Sequence, residues 1–333
     1  MSNSFDNFNS LGFFNPYYVK INGNLKIETE FSNILDYSER MLDINSVSQI
    51  LKFGFTLGDR TLISDIYKTP WMAKPNKSNS GWSFFDVPNH KEQLLSKDYI
   101  YSELYCRLQN ELSNYITGKS NVGILLTGGM DSRVVAAVLS KLQSEKCFAN
   151  INVYAFTWGT LDSRDVIYAK KIAQLYNWKW QHLEIDVDQV RENIEYTINT
   201  GCEFSPIHLH AMPKILENKY LDCVLAGSFG DSIGRGEYSG VKVKNLKPFE
   251  NKINKSTILF NSKIYNSVLT DCLKDIKYYH EKFPQTKNYQ QLEQDYQLHY
   301  MRKMLNPCMN VINKEIPVYQ MFSSPEVFGF MCS

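Results

Sequence analysis

The sequence predicts an α/β fold: a parallel sheet flanked by helices, with a small N-terminal α+β segment before it and a helical C-terminal part after it. Three observations carry this prediction. Four short apolar runs have strand length: VGILLT (122–127), INVYAFTW (151–158), KWQHLEID (179–186) and LDCVLAG (221–227). Between the first three lie segments whose apolar residues recur three or four positions apart, the stripe of an amphipathic helix. Strands that alternate with helices in this way form βαβ units, and βαβ units build parallel sheets.

In chain order, residues 1–46 begin rich in Asn and Ser. PYYVKINGNLKIETEF (16–31) predicts a β-hairpin at Asn22-Gly23, because Asn-Gly suits the positive φ angles of a tight primed turn. Residues 70–98 are crowded with Pro, Gly, Ser and Asn and read as a connector or surface loop. A boundary near 98 separates an N-terminal segment (1–98; hairpin, helix and loops) from a second domain (99–333). LSKDYIYSELYCRLQNELSNYI (95–116) has helical period and an acidic, Ser-bearing start. DSRVVAAVLSKL (131–142) sets Val134, Val135, Val138, Leu139 and Leu142 on one helical face, and SRDVIYAKKIAQLY (163–176) does the same with Val166, Ala169, Ile172, Ala173 and Tyr176. From about residue 240 the chain is Lys-, Tyr- and Gln-rich and helical in character.

Composition bounds the function. A chain of 333 residues, 43% of them hydrophobic, can bury a sizeable core. Its 36 basic and 35 acidic residues nearly cancel, so neither nucleic acid nor an anionic membrane is expected as a partner. No run approaches the roughly eighteen consecutive apolar residues of a membrane span. The start, MSNSFDNFNSLGFFNPYY, lacks the basic and apolar regions of a signal peptide. Seven scattered cysteines (Cys106, Cys147, Cys202, Cys223, Cys272, Cys308 and Cys332) form no C-x-x-C and no zinc-type cluster. Reduced thiols in a cytoplasmic protein are the expectation.

The chemistry concentrates in VGILLTGGMDSRVVAAVL (122–139). The apolar run ends at Thr127, the helix begins near Asp131 and Ser132, and Gly128 and Gly129 fall in the turn between. At such a junction the first helical N–H groups lack internal partners, and the macrodipole adds partial positive charge. Glycines let an anion approach the bare backbone, and the hydroxyls of Thr127 and Ser132 add donors. Asp131 would repel an anion, unless it holds Mg²⁺ that bridges to phosphates. No Lys follows the glycines as a P-loop requires, and no G-x-G-x-x-G occurs here. What remains is [ST]-G-G-x-D-S; the competing structural reading is a plain βα turn capped by Asp or Ser.

This string resembles the pyrophosphate-binding loop of the N-type ATP pyrophosphatases, and LLTGGMDSRVVAAVL is similar to the synthetase domain of asparagine synthetases. The resemblance extends loosely over residues 47–333. FGFTLGDRTLISDIYKTP (53–70) is similar to the segment leading into that domain, SRDVIYAKKIAQLYNWKWQHLEI (163–185) to its second βα unit and third strand, and GSFGDSIGRGEY (227–238) to its second acidic, Gly-rich loop. It implies an adenine nucleotide alpha hydrolase-like fold and an enzyme that uses ATP and Mg²⁺. Such an enzyme adenylates a carboxylate, releases pyrophosphate, and lets an amine displace AMP. On this resemblance Thr127, Gly128, Gly129 and Ser132 cradle pyrophosphate, and Asp131 and Asp231 are Mg²⁺ ligands. Leu125, Leu126, Phe156 and Thr157 flank the adenine, and Gly227 opens the second nucleotide-binding loop.

Departures from the family pattern shape the expectation. Residue 2 is Ser rather than a nucleophilic Cys, and no glutaminase domain precedes the loop, so glutamine hydrolysis is not expected. Ammonia or another amine, supplied by a partner protein, takes its place. Ser228 and Ser232 stand where family acids lie, Arg235 interrupts the usual glycine pair, and a C-terminal catalytic Lys has no assigned counterpart. Asp131, Asp231 and Arg235 are the catalytic candidates, with Glu237 beside them; the alternative for residues 230–240 is a structural surface turn.

Other residues have weaker claims. Arg133 is placed either toward phosphate or substrate carboxylate or toward solvent. His208 and His210 would share one face of a strand, suiting a metal, but no third ligand accompanies them; pocket lining or ordinary packing is preferred. His182 reads as a satisfied core histidine. Asp165 suits a helix start through the dipole alone. Tyr296, Tyr300, Arg302 and Met304 share an apparent helix, the aromatics as core and Arg302 as a candidate for lining the cleft.

The expected activity is an ATP- and Mg²⁺-dependent, asparagine synthetase-like ligase acting on a small-molecule or peptide carboxylate. Two alternatives compete: a non-catalytic relative that binds nucleotide or a partner, and a tRNA-modifying ATP pyrophosphatase. The latter predicts a basic stripe or a reactive cysteine pair, and the sequence displays neither.

Overall fold

The computed structural model describes residues 15–87, 93–233 and 262–332. The chain divides into two compact units that alternate along the sequence. Of the described residues, one unit takes 15–87, Glu192–His208 and 262–307; the other takes 93–191, 209–233 and 308–332.

The first unit opens with the hairpin expected from Asn-Gly. Tyr17–Ile21 pairs antiparallel with Asn24–Glu28, closing at Ile21↔Asn24, and Asn22 and Gly23 take φ of 50° and 82°. Both central residues are left-handed, as a type I′ turn requires. Tyr67–Lys68 adds a third strand beside Tyr17–Ile21. Beneath them Tyr17, Val19, Phe31, Ile34 and Ile66 form a small core. Residues 70–98 depart from the loop expected there. Ala73–Pro75 and Trp82–Phe84 form a short antiparallel pair, and Trp71 is fully buried against Tyr279, Phe283 and Leu298. Three-residue strands are too short to show a period above the surrounding turn residues.

The helices Ser262–Lys282 and Asn288–Asp295 of this unit lead into a π-helical stretch, Tyr296–Leu305. The expectation that Arg302 lines a cleft is corrected here. Its side chain is buried and donates to Asn15 Oδ1 (2.7 Å), Asp59 Oδ1 (3.1 Å) and the carbonyls of Gly58 and Thr69. N–H groups excluded from water need acceptors, and Asn15 together with the segment 58–69 supplies them.

The second unit carries the parallel sheet, with strands β1 (Asn121–Leu125), β2 (Asn152–Trp158), β3 (Lys179–Leu183), β4 (Cys223–Ala226) and β5 (Val318–Gln320). Every pairing is parallel, and the order is 5-4-1-2-3. β1 and β4 are the most deeply buried, as strands covered on both faces must be, which explains their unbroken apolar sequences. Helices α1 (Lys97–Ile116), α2 (Met130–Gln143), α3 (Arg164–Leu175) and α4 (Pro325–Met331) belong to the same unit. α1 packs on both α2 and α4. Ser96 and Ser163 cap α1 and α3, accepting from the amides of Tyr99 and Val166, where the sequence marked helix starts.

The strand order places the functional question. The chain runs outward from β1 through β2 to β3, then returns to the other side of β1 as β4 and β5. Connections leave the carboxyl ends of β1 and β4 in opposite directions, the place at which open parallel sheets bind their ligands. The loops following β1 and β4 are Thr127–Gly129 and Gly227–Phe229.

Candidate functional site

The loop after β1 is tied by its own hydroxyls. The Gly129 amide donates to Thr127 Oγ1 at 3.1 Å, and the Thr127 amide donates to Ser132 Oγ at 3.1 Å. Ser132 Oγ–H in turn reaches the carbonyls of Thr127 (3.1 Å) and Gly129 (3.3 Å). Thr127 and Ser132 thus lace the turn together. Gly129 occupies the N-cap of α2, and no side chain caps the helix. The first amides of α2 therefore keep the positive end of the helix uncovered by a capping group. Gly128 is required by close approach: a Cβ there would lie 2.7 Å from Asp165 Oδ1 and 3.1 Å from Asp165 Cα at the start of α3.

The loop after β4 lies across the first turn of α2. A Cβ on Gly227 would fall 2.7 Å from the Ser132 amide nitrogen, and one on Gly230 would fall 2.6 Å from Asp131 Cγ. Between them Phe229 takes φ 73°, a conformation that a bulky residue adopts only under constraint, and it is almost fully buried. The Asp231 amide donates to Asp131 Oδ2 at 2.9 Å, joining the two loops. The Asp231 carboxylate accepts from the Ser232 amide at 2.8 Å.

Asp131 is the electrostatic centre. Burial above all pushes its carboxyl up to about 6, the Asp231 amide pulls it down, and the charge of Asp231 pushes it up again. No basic side chain among the described residues contributes to the shift. A half-buried carboxylate facing a second one from a separate loop is a hard-oxygen pair, which suits Mg²⁺ completed by phosphate oxygens and water. The residues fit that ion.

The remaining candidates distribute as follows. Leu125, Leu126, Phe156 and Thr157 are all buried at the carboxyl ends of β1 and β2. The Leu126 amide donates to Phe156 O at 2.9 Å, and the Leu126 carbonyl accepts from Thr157 Oγ1 at 2.8 Å. Arg133 is exposed and turns back to Gly129 O at 3.2 Å. Arg235 and Glu237 lie outside the described residues. His208 sits on a 3-10 turn, Pro206–Leu209, and His210 follows with φ 51°, so the strand that would have aligned the two rings is not formed. Two prolines, Pro206 and Pro213, bracket this stretch and favour turns over a ladder. Among the described residues no cluster of three or more His, Cys, Asp or Glu side chains is arranged to hold a metal. His182 Nε2 is 2.7 Å from Gly159 O, so the ring is satisfied as expected, but it is only partly buried and not part of the core.

Two features went unread in the sequence. The Phe229 backbone carries no residue signal, since left-handed φ favours Gly and Asn. Trp180 Nε1–H donates to Thr157 Oγ1 at 3.3 Å, bracing β3 against β2 below the first loop; this partner is set by cross-strand register and by no motif.

Residues 104–305, about three-fifths of the chain, match the family described as asparagine synthase. No curated protein matches. Among solved structures the chain is similar to the NH3-dependent NAD synthetase of Campylobacter jejuni, at 18% identity over 67% of this chain and 98% of that one, with a TM-score of 0.30. It is also similar to the U34-tRNA thiolase NcsA of Methanococcus maripaludis (13% identity, 72% and 87% covered, TM-score 0.32). A third is the NMN synthetase of Francisella tularensis (13% identity, 59% and 100% covered, TM-score 0.29).

Proposed function

Because the chain belongs to the asparagine synthase family, an ATP-using family of ligase type, we propose that it activates a carboxylate with ATP and transfers the acyl group to ammonia or another amine. The observation that carries this reading is the meeting of two glycine loops at Asp131, at the point where the strand order reverses. Neither loop has the composition of a generic turn, and each needs glycine at the place where it touches the other elements.

A carboxylate oxygen of the acceptor attacks the α-phosphorus of ATP. The bond from that phosphorus to the α–β bridging oxygen breaks, and pyrophosphate leaves with the electron pair. The amine nitrogen then attacks the acyl carbon, AMP departs, and the nitrogen loses a proton. The main-chain amides of Gly128, Gly129 and the start of α2 receive the departing pyrophosphate, with Thr127 and Ser132 holding their geometry. Leu125, Leu126, Phe156 and Thr157 border the adenine, and Gly227 leaves room where the second loop crosses α2. Asp131 and Asp231 hold Mg²⁺, which when bound neutralises charge on the pyrophosphate. Arg235 is assigned as the third catalytic group, a cation for the negative charge gathering on the phosphates. The acceptor is a small-molecule or peptide carboxylate, a separate protein supplies the amine, and the reaction belongs to the cytoplasm.

Product analysis tests this reading. With ATP, Mg²⁺, ammonia and a panel of carboxylates, the expected products are AMP, pyrophosphate and an amide. ADP and orthophosphate instead would overturn it.

A further inference from the structure

The second loop reaches the first through its main chain. The Asp231 amide donates to Asp131 Oδ2 at 2.9 Å; the Asp231 carboxylate accepts from the Ser232 amide at 2.8 Å and also acts on Asp131, pushing its pKa up. Gly230 lies so near that a Cβ would stand 2.6 Å from Asp131 Cγ and 2.9 Å from Asp131 Oδ1. On the other flank, a Cβ on Gly227 would stand 2.8 Å from the Asp131 carbonyl carbon. Phe229 joins these two contacts in a left-handed conformation while buried, so the reversal that brings Gly230 onto Asp131 is imposed by packing and not by local preference.

We propose that the loop after β4 is a backbone clamp on Asp131, in which Gly227, Phe229 and Gly230 are positioning residues and the Asp231 amide sets the carboxylate's orientation. The proposal rests on the reading of Asp131 as a Mg²⁺ ligand. It accounts for the loop's composition: Ser228 and Ser232 stand where similar loops carry acids, and a clamp made of main chain needs no acid at either position. What it needs is a missing Cβ at two points and an N–H at a third. It also divides two roles within Asp231. The amide positions Asp131, and the carboxylate is the part that a metal would use.

Residue-resolved amide hydrogen exchange on the full chain tests the clamp. The amide at position 231 is expected to exchange about tenfold faster in Asp131→Ala and to stay protected in Asp231→Asn, because only the first removes its acceptor. An unchanged rate in Asp131→Ala overturns the clamp. ATP affinity of Gly230→Ala, measured with and without Mg²⁺, supplies a second reading. The gain in affinity on adding Mg²⁺ is expected to fall about tenfold, with metal-free binding within about twofold of the parent, since the added methyl meets the Asp131 carboxylate and the Phe322 ring and touches none of the amides of the first loop. A parallel loss with and without the ion would be plain structural damage and contradicts the proposal, as does no loss at all. Should Gly230→Ala not fold, the exchange measurement decides alone. A parent protein whose ATP affinity ignores Mg²⁺ would sink the metal reading, and the exchange result would still decide whether the clamp exists.

Discussion

Trp180 and Thr157 are joined across β3 and β2 by an indole N–H donating to Oγ1 at 3.3 Å, and the same hydroxyl donates a hydrogen bond to the Leu126 carbonyl at 2.8 Å. Three adjacent strands are thereby tied together immediately before the first loop leaves the sheet. Thr157→Val keeps the shape and removes both bonds, leaving a buried carbonyl and indole N–H without this partner. Such a loss costs about 1–3 kcal/mol. Urea unfolding should show a drop of that size for Thr157→Val and a much smaller one for Thr157→Ser. Equal drops would mean that packing, not the hydroxyl, is what matters.

Gly128 faces backbone as well as a side chain. Its missing Cβ would meet Asp165 Cα at 3.1 Å and Arg164 O at 3.3 Å, so turning the Asp165 side chain away cannot make room. Gly128→Ala must shift the loop or α3, at about 1–3 kcal/mol. Thermal unfolding should report the destabilisation, and ATP binding should weaken with it. A variant with parent stability would show that the approach is looser than described.

The buried His299 makes stability depend on pH. Burial, helped by the positive charges of Arg302, His280 and Lys303, lowers its pKa to about 3, and its Nδ1 accepts from the Gly58 amide at 3.0 Å, a bond only the form unprotonated at Nδ1 can make. The unfolded chain takes up a proton at this residue near pH 6.5, whereas the folded chain does not until about pH 3. The stability from this group is thus complete above about 6.5 and is lost as pH falls toward about 3, at up to about 1.4 kcal/mol per pH unit. Urea midpoints between pH 7 and 5 should decline less steeply for His299→Gln than for the parent. Equal slopes, or an imidazole of His299 seen by NMR to be protonated at pH 5, would contradict this.

The sheet was legible where strands are long and buried. β4 lies inside the apolar run 221–227, and β1 (Asn121–Leu125) overlaps the run 122–127, because both faces of each strand are covered. β5 is three residues long, and Val318–Gln320 shows no period against its neighbours, so its place at the sheet edge was unreadable. The π-helical stretch Tyr296–Leu305 differs from an α-helix by one residue per hydrogen-bonded turn, too little for a stripe of Tyr and Met to reveal. At the site, the turn between β1 and α2 could be read because two glycines between an apolar run and an amphipathic stripe mark a strand–turn–helix junction. The contact from Gly230 and Asp231 to Asp131 spans one hundred positions and is made by main-chain atoms, which leave no pattern beyond the glycines themselves.

The central claim is that the Gly128-Gly129 turn and Asp131 act together on the pyrophosphate of a cleaving ATP. Isotope exchange measures that event directly. With a competent carboxylate and Mg²⁺, labelled pyrophosphate should enter ATP in the parent protein, and Asp131→Asn should remove at least about 99% of the exchange, as loss of a charge-stabilising group does, while circular dichroism and the melting temperature stay near those of the parent. Exchange that persists undiminished in a folded Asp131→Asn variant would contradict the account.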